Sequence, residues 1–178
     1  MCPAADKAGS CALAQGILRD YAADPDAAQQ SYAAALKAYR STGNRGFEAK
    51  ALHNLGLVYL SQGRYAEALA HCQGAREILR DVGDRIMETA ALHAVGAIYE
   101  AQKQYQDALE IYKEVLAVWR EKNQFMGKLI LLNDVGRVYE ALGQAAEGQE
   151  YYRQAIPLQR EWEAREESLR KAREGLRG

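Results

Sequence analysis

Two stretches of apolar positions alternate along the chain, both with helical spacing. Leu52, Leu55, Val58 and Tyr59 fall at i, i+3, i+6 and i+7, one face of an α-helix. Ala68, Leu69, Cys72, Ala75 and Leu79 make a second such face. Gly63 lies between them, where a helix C-cap favours a residue free to take positive φ, and Gly83 ends the second helix. The pattern predicts a helical hairpin. Carried along the chain it predicts helices over 9–22 and 26–41, 47–62 and 65–82, 87–102 and 105–122, and 126–142 and 145–162. A last helix is predicted over 165–176. Asp24-Pro25 suits the start of the second helix, since proline is tolerated at a helix's first position.

The hairpins are copies of one another. Ala51-Leu52-His53-Asn54-Leu55-Gly56-Leu57-Val58-Tyr59 returns as Ala91-Leu92-His93-Ala94-Val95-Gly96-Ala97-Ile98-Tyr99, and again as Leu131 through Tyr139. Gly56, Gly96 and Gly136 are 40 residues apart, and Gly16 marks a weaker first copy. Cys72, Tyr112 and Tyr152 share a column, as do Arg80, Arg120 and Arg160, and Gly43-Asn44-Arg45 matches Gly83-Asp84-Arg85. Glycine inside a helix costs about 1 kcal/mol. Its return at one column therefore predicts close approach of the two helices, with Ala68 and Ala108 making room from the other side. The first hairpin is degenerate, with Arg19 and Pro25 at tyrosine columns. The last complete copy drifts too, with Ala145 and Gly148 in place of tyrosine and alanine. Beyond it, Leu158, Trp162, Leu169, Ala172 and Leu176 form an apolar stripe, with Pro157 expected to kink or interrupt the helix before it. The segment 165–176 is expected to cap the array, or else to be the first half of a lost fifth repeat or to pair with another chain.

Composition narrows the class. Of 178 residues 48% are hydrophobic and 26% charged, which suits one folded domain, 1–178. The 23 Lys and Arg nearly balance 24 Asp and Glu, so the basic excess of a nucleic-acid binder is missing. No run approaches the ~18 apolar residues of a membrane span. Cys2, Cys11 and Cys72 are odd in number and lack CxxC spacing, which favours reduced thiols and a cytoplasmic location over a disulfide framework.

Candidate chemistry is sparse. His53 and His93 hold equivalent places in adjacent first helices, but Asn133 fills the third, leaving too few ligands for a metal. Cys72 stands at an aromatic column and reads as core. Glu161, Glu163, Glu166 and Glu167 are interleaved with Arg160, Arg165, Arg170 and Lys171, the pattern of a solvated helix face. No phosphate loop, nucleophile elbow or nucleotide fingerprint occurs. The expectation is no enzyme, no cofactor and no metal.

Leu55-Gly56-Leu57-Val58-Tyr59 followed by Gly63-Arg64-Tyr65-Ala66-Glu67-Ala68-Leu69 resembles the tetratricopeptide repeat. The usual period is 34; the 40-residue period and the Gly-Asp-Arg linker are similar to the longer repeats of spindle-orientation adaptors and bacterial signalling proteins. The resemblance covers about 11–162. It implies an all-α, right-handed solenoid of four hairpins plus a C-terminal capping helix. It also implies a scaffold that binds a peptide or helical segment in a concave groove, with no nucleic acid and no membrane as partner. An alternative implication is a regulatory segment of a larger effector whose protease or ATPase lies elsewhere. The family's ligand-facing positions fall on Lys50, His53, Asn54, Leu57, Leu60 and Ser61, on Ala90, His93, Ala94, Ala97, Glu100 and Ala101, and on Asn133, Asp134, Arg137, Glu140 and Ala141. Only Arg137 is positive among the central places, unlike the basic clamp some members use for a terminal carboxylate.

Overall fold

The computed structural model describes residues 4–21, 24–122 and 125–175. Cys2 and Leu176, and the side chains of Arg19 and Ala172, lie outside the described residues. Among the described residues there are eight helices and no strand: α1 (Ala4–Tyr21), α2 (Pro25–Thr42), α3 (Arg45–Ser61), α4 (Tyr65–Asp81), α5 (Arg85–Ala101), α6 (Tyr105–Glu121), α7 (Phe125–Ala141) and α8 (Ala145–Gly175). From α2 to α7 every helix lies within two residues of its predicted span, whereas α1 starts earlier than expected, at Ala4.

The turns explain that agreement. At Gly43, Gly63, Gly83 and Gly143 the backbone enters the left-handed region, with φ of 69°, 72°, 77° and 77°. Two amides turn back onto the helix that has just ended, as Gly63 N–H to Leu60 O (3.0 Å) and Arg64 N–H to Tyr59 O (2.9 Å) illustrate. Lys103 makes the same turn at φ 62° without being glycine, donating to Glu100 O at 2.8 Å. The helices α3 and α5 start on side-chain caps. Asn44 Oδ1 accepts from Phe47 N–H and Asp84 Oδ1 from Met87 N–H, at 3.5 and 3.1 Å. Asp24 caps α2 in the same way, accepting from Ala27 N–H at 3.0 Å, with Pro25 in the first turn.

The chain forms two compact units, Met1–Ile111 and Tyr112–Gly178, with the division inside α6. In the first, α1 packs on α2, α2 on α3, α3 on α4 and α4 on α5. Its core is built from Ala28, Tyr32, Ala35 and Tyr39 of α2, Ala49, Leu52 and Leu55 of α3, and Ala75, Ile78 and Leu79 of α4. Ala68 and Cys72 then meet Ala94, Val95 and Ile98 of α5. In the second unit α7 packs on α8, and Val115, Leu131, Leu132, Val135 and Val138 are buried.

Gly16, Gly56 and Gly136 mark close helix contacts. A Cβ on Gly56 would run into Cys72 Sγ and lie 3.2 Å from Ala68 O. One on Gly136 would lie 2.6 Å from the Tyr152 ring, and Gly16 is likewise pressed against Tyr32. Glycine on the first helix thus faces the 32/72/152 column of the second. At the joints a different column pairs: Tyr39 stacks on Phe47 with ring centroids 5.2 Å apart, while Trp119 fills the space over Gly127, where a Cβ would approach its ring to 2.5 Å. A buried glutamate ties each of two joints in the first unit. Glu48 accepts from Arg40 Nε at 3.0 Å and Arg45 Nη1 at 3.1 Å, and Glu88 accepts from Arg80 Nε at 3.1 Å with Arg85 3.9 Å away.

The C-terminal end departs from expectation. The segment 145–162 and residues 165–175 belong to one 31-residue helix, with Pro157 inside it. Pro157 is exposed, and the helix continues through it. Residues 165–175 extend α8 rather than folding back as a separate cap, and Leu169 stays 53% exposed.

Candidate functional site

In the first unit the predicted site residues lie on α3 and α5, which contact each other directly. Both helices are set by the same cap and turn, so equivalent residues of the two copies present the same face. Lys50, His53 and Asn54 of α3 and His93, Ala97 and Glu100 of α5 are all half-buried, and Leu57 is 41% exposed. Lys50 Nζ sits 4.7 Å from the centre of the Phe47 ring, a cation–π contact that holds the chain over its own helix. Ala94 does not belong to this face; it is buried against Cys72 and Ile98. Leu60 packs on the same core cluster, and the Ser61 hydroxyl donates to Val58 O at 2.7 Å.

The histidine pair is electrostatically linked. Burial, reinforced by the neighbouring His93 imidazole, pushes the His53 pKa down from 6.5 to about 4. His53 is therefore neutral at pH 7, and its Nδ1 is buried without a hydrogen-bond partner among the described residues. The α3–α5 face is thus apolar and amide-like at its centre, with Lys50 toward the N-terminal end and Glu100 toward the C-terminal end of their helices.

In the second unit the predicted residues lie on α7, and most are engaged locally. Asn133 Nδ2 donates to Leu129 O of the preceding turn at 3.1 Å. Asp134 is buried and accepts from Arg137 Nη2 at 2.8 Å. Glu140 accepts from the Tyr152 hydroxyl at 3.0 Å. Arg137 remains largely exposed despite its ion pair.

Three apolar residues on these helices escaped the sequence reading. Ile86 on α5 is 51% exposed, and Met126 and Ile130 on α7 are 44% and 45% exposed. They occupy the 46/86/126 and 50/90/130 columns, two turns and one turn before the His53/His93/Asn133 column. The 40-residue grid was the signal that could have found them.

Cys11 is an exposed free thiol, and the other reactive groups near these helices are buried or engaged. Among the described residues no group of three or more His, Cys, Asp or Glu is placed to hold a metal. Burial pushes the Cys72 thiol up to about 12, which removes it as a nucleophile at neutral pH. His71 is engaged by Glu67 O at 2.8 Å and by the Tyr59 ring. A cleft lined by Arg40, Arg45, Leu52, His71, Gly74 and Glu77 opens elsewhere on the first unit, but both arginines are committed to Glu48. No described helix is long and apolar enough to cross a membrane.

No curated protein matches the chain in sequence. Solved structures do match in fold. A Rap protein complexed with Competence and Sporulation Factor is similar at 19% identity and a TM-score of 0.83, over 92% of this chain and 45% of that one. The Rap conjugation gene regulator of the plasmid pLS20, in complex with the Phr* peptide, gives 17% and 0.74 over 82% and 41%. A putative kinesin light chain from Podosopora anserina, with nearly identical TPR-like repeats, gives 19% and 0.65 over 85% and 74%. The chain spans less than half the length of the two Rap proteins. Tetratricopeptide-repeat family models match residues 47–121 and 131–161, more than half the chain between them, and those are the stretches in which the glycine turns and close helix contacts recur; the chain belongs to the tetratricopeptide-repeat family.

Proposed function

We propose that the chain is a non-catalytic protein–protein interaction scaffold that takes a peptide or helical segment on a first-helix face, either α3 and α5 of the first unit or α7 of the second. The observation that carries this reading is the α3–α5 face, where Leu57 and Ile86 are exposed on the same two helices as half-buried Lys50, His93 and Glu100. Apolar side chains of a bound segment would cover Leu57 and Ile86. Ile130 and Met126 offer a comparable apolar contact on α7, with Arg137 on the same helix. The peptide complex of the pLS20 Rap protein supports this mode of use for the fold. A second reading, a regulatory segment of a larger protein, draws on the 45% and 41% of the Rap chains that this chain spans. It uses the same face.

The test is a peptide selected by display against the full chain and measured by calorimetry. Leu57→Glu and Ile130→Glu, made separately, are expected to weaken it about tenfold or more at one of the two faces, a loss of about 1.4 kcal/mol. Gln73→Ala, at an exposed position of α4, is expected to leave it unchanged. Binding lost only in the α4 variant would move the site to the second helices.

A further inference from the structure

Residues 161–174 of α8 carry an apolar seam that nothing described covers. Trp162 and Leu169 are one heptad apart, 39% and 53% exposed, and Leu158 extends the seam back one turn. Arg165 falls between them but stacks on the Phe125 ring of α7, 4.9 Å from its centre. A shallow depression runs along this face, bounded by Trp162, Leu169, Glu166 and Arg173.

Charge along the segment is polarised. Its first half holds Glu161, Glu163, Glu166 and Glu167 against Arg165; its second holds Arg170, Lys171 and Arg173 against Glu174. Glu166 and Arg173 flank Leu169 at −3 and +4, and neither makes an ion pair among the described residues. The pairs that do form, Arg165–Glu161, Arg170–Glu167, Arg170–Glu174 and Lys171–Glu167, are exposed contacts within one helix, and such contacts contribute little. A helix that is acidic at one end, basic at the other and apolar between is complementary to itself reversed.

We propose that this segment is a homodimerisation site: a second copy of the chain packs its own α8 antiparallel on the first, with a two-fold axis near Leu169. The two leucines meet at the axis. Glu166 of each copy lies opposite Arg173 of the other, and each Trp162 covers the far end of the partner helix. The contact is isologous, so it closes at two copies rather than growing into a fibre. Parallel pairing would set the acidic halves side by side and the basic halves likewise, and like charges across a helix seam oppose association.

Sedimentation velocity on the full chain, from about 1 to about 300 μM, tests this. The wild type is expected to move from the 19.8 kDa monomer toward twice that mass as concentration rises. Leu169→Glu should hold it at the monomer mass. Glu166→Arg and Arg173→Glu should each weaken the dimer about tenfold or more. The double variant Glu166→Arg/Arg173→Glu should return to within about threefold of wild type, because it exchanges the charges without losing their complementarity. Circular dichroism of each variant at low concentration checks that the helices are retained. A wild type that stays monomeric throughout, a dimer that survives Leu169→Glu, or a double variant no better than the single ones would each overturn the proposal.

Discussion

Gly56 and Gly74 sit in consecutive helices of the same unit, and the same substitution should affect them in opposite directions. Replacing glycine by alanine in a helix interior gains about 1 kcal/mol from backbone entropy alone. At Gly74 nothing cancels that gain: a Cβ would meet only Leu52 Cδ1, at an ordinary 3.9 Å. At Gly56 the new Cβ collides with Cys72 Sγ and crowds two backbone atoms, Ala68 O at 3.2 Å and Cys72 N at 3.3 Å. Backbone atoms cannot rotate aside, so the cost belongs at the upper end of the ~1–3 kcal/mol typical of overpacking. After the entropy gain, a net loss of about 1–2 kcal/mol remains. For a chain of this size 1 kcal/mol moves the melting temperature by roughly 2–4 °C. Gly74→Ala should therefore melt about 2–4 °C higher, and Gly56→Ala about 2–8 °C lower. Differential scanning calorimetry reads both. A third variant isolates the cause: Cys72→Ala removes the colliding sulfur, and a double-mutant cycle with Gly56→Ala should recover about 1 kcal/mol relative to additivity. If Gly56→Ala melts as high as Gly74→Ala, close helix approach is not what requires glycine at that column.

Two other perturbations follow from the same geometry. Glu48→Gln removes the charge shared by Arg40 and Arg45 and should cost about 1–2 kcal/mol in urea unfolding, with Glu88→Gln costing less because Arg85 stands farther off; equal, negligible losses would deny the joint any contribution. The unfolded His53 imidazole takes up a proton near pH 6.5 and the folded one only near pH 4, so stability should fall as pH drops through that window, by at most about 3 kcal/mol, and level off below it. His53→Gln should flatten that part of the melting-temperature curve relative to wild type, and an identical pH slope in the two proteins would count against a buried neutral imidazole.

The hairpin boundaries were legible because the residues that set them act locally. Gly63 and Gly83 take a backbone conformation that side chains disfavour, and Asn44 and Asp84 cap the next helix within three residues. Close packing at Gly56 and Gly136 was legible from repetition, since a costly residue recurs at a column only where the packing needs it. Lys103 falls at the turn column of Gly63 and Gly143, so the repeat placed the turn there, and only its positive φ without glycine was not legible. The join between the predicted spans 145–162 and 165–176 was missed, although the intervening Glu163 and Ala164 are both good helix formers. The family pattern named His53 and Leu57 as candidate partner-facing residues, whereas the exposed Ile86, Met126 and Ile130 stayed hidden. Core and surface apolar residues share the same helical period, and only exposure separates them.

The joint between α6 and α7 constrains how this chain can change by descent. Where the first joint stacks Tyr39 on Phe47, this one sets the largest side chain, Trp119, against no side chain at all, Gly127. Enlarging Gly127 by itself meets the indole, and shrinking Trp119 by itself opens a void, so neither step is neutral alone. Sequences that diverge here should do so in reciprocal pairs, a smaller residue at 119 arriving with a larger one at 127. A hairpin transplanted from elsewhere in the array would bring only half of such a pair, so duplications that cut between these two positions should be the ones that fail to persist.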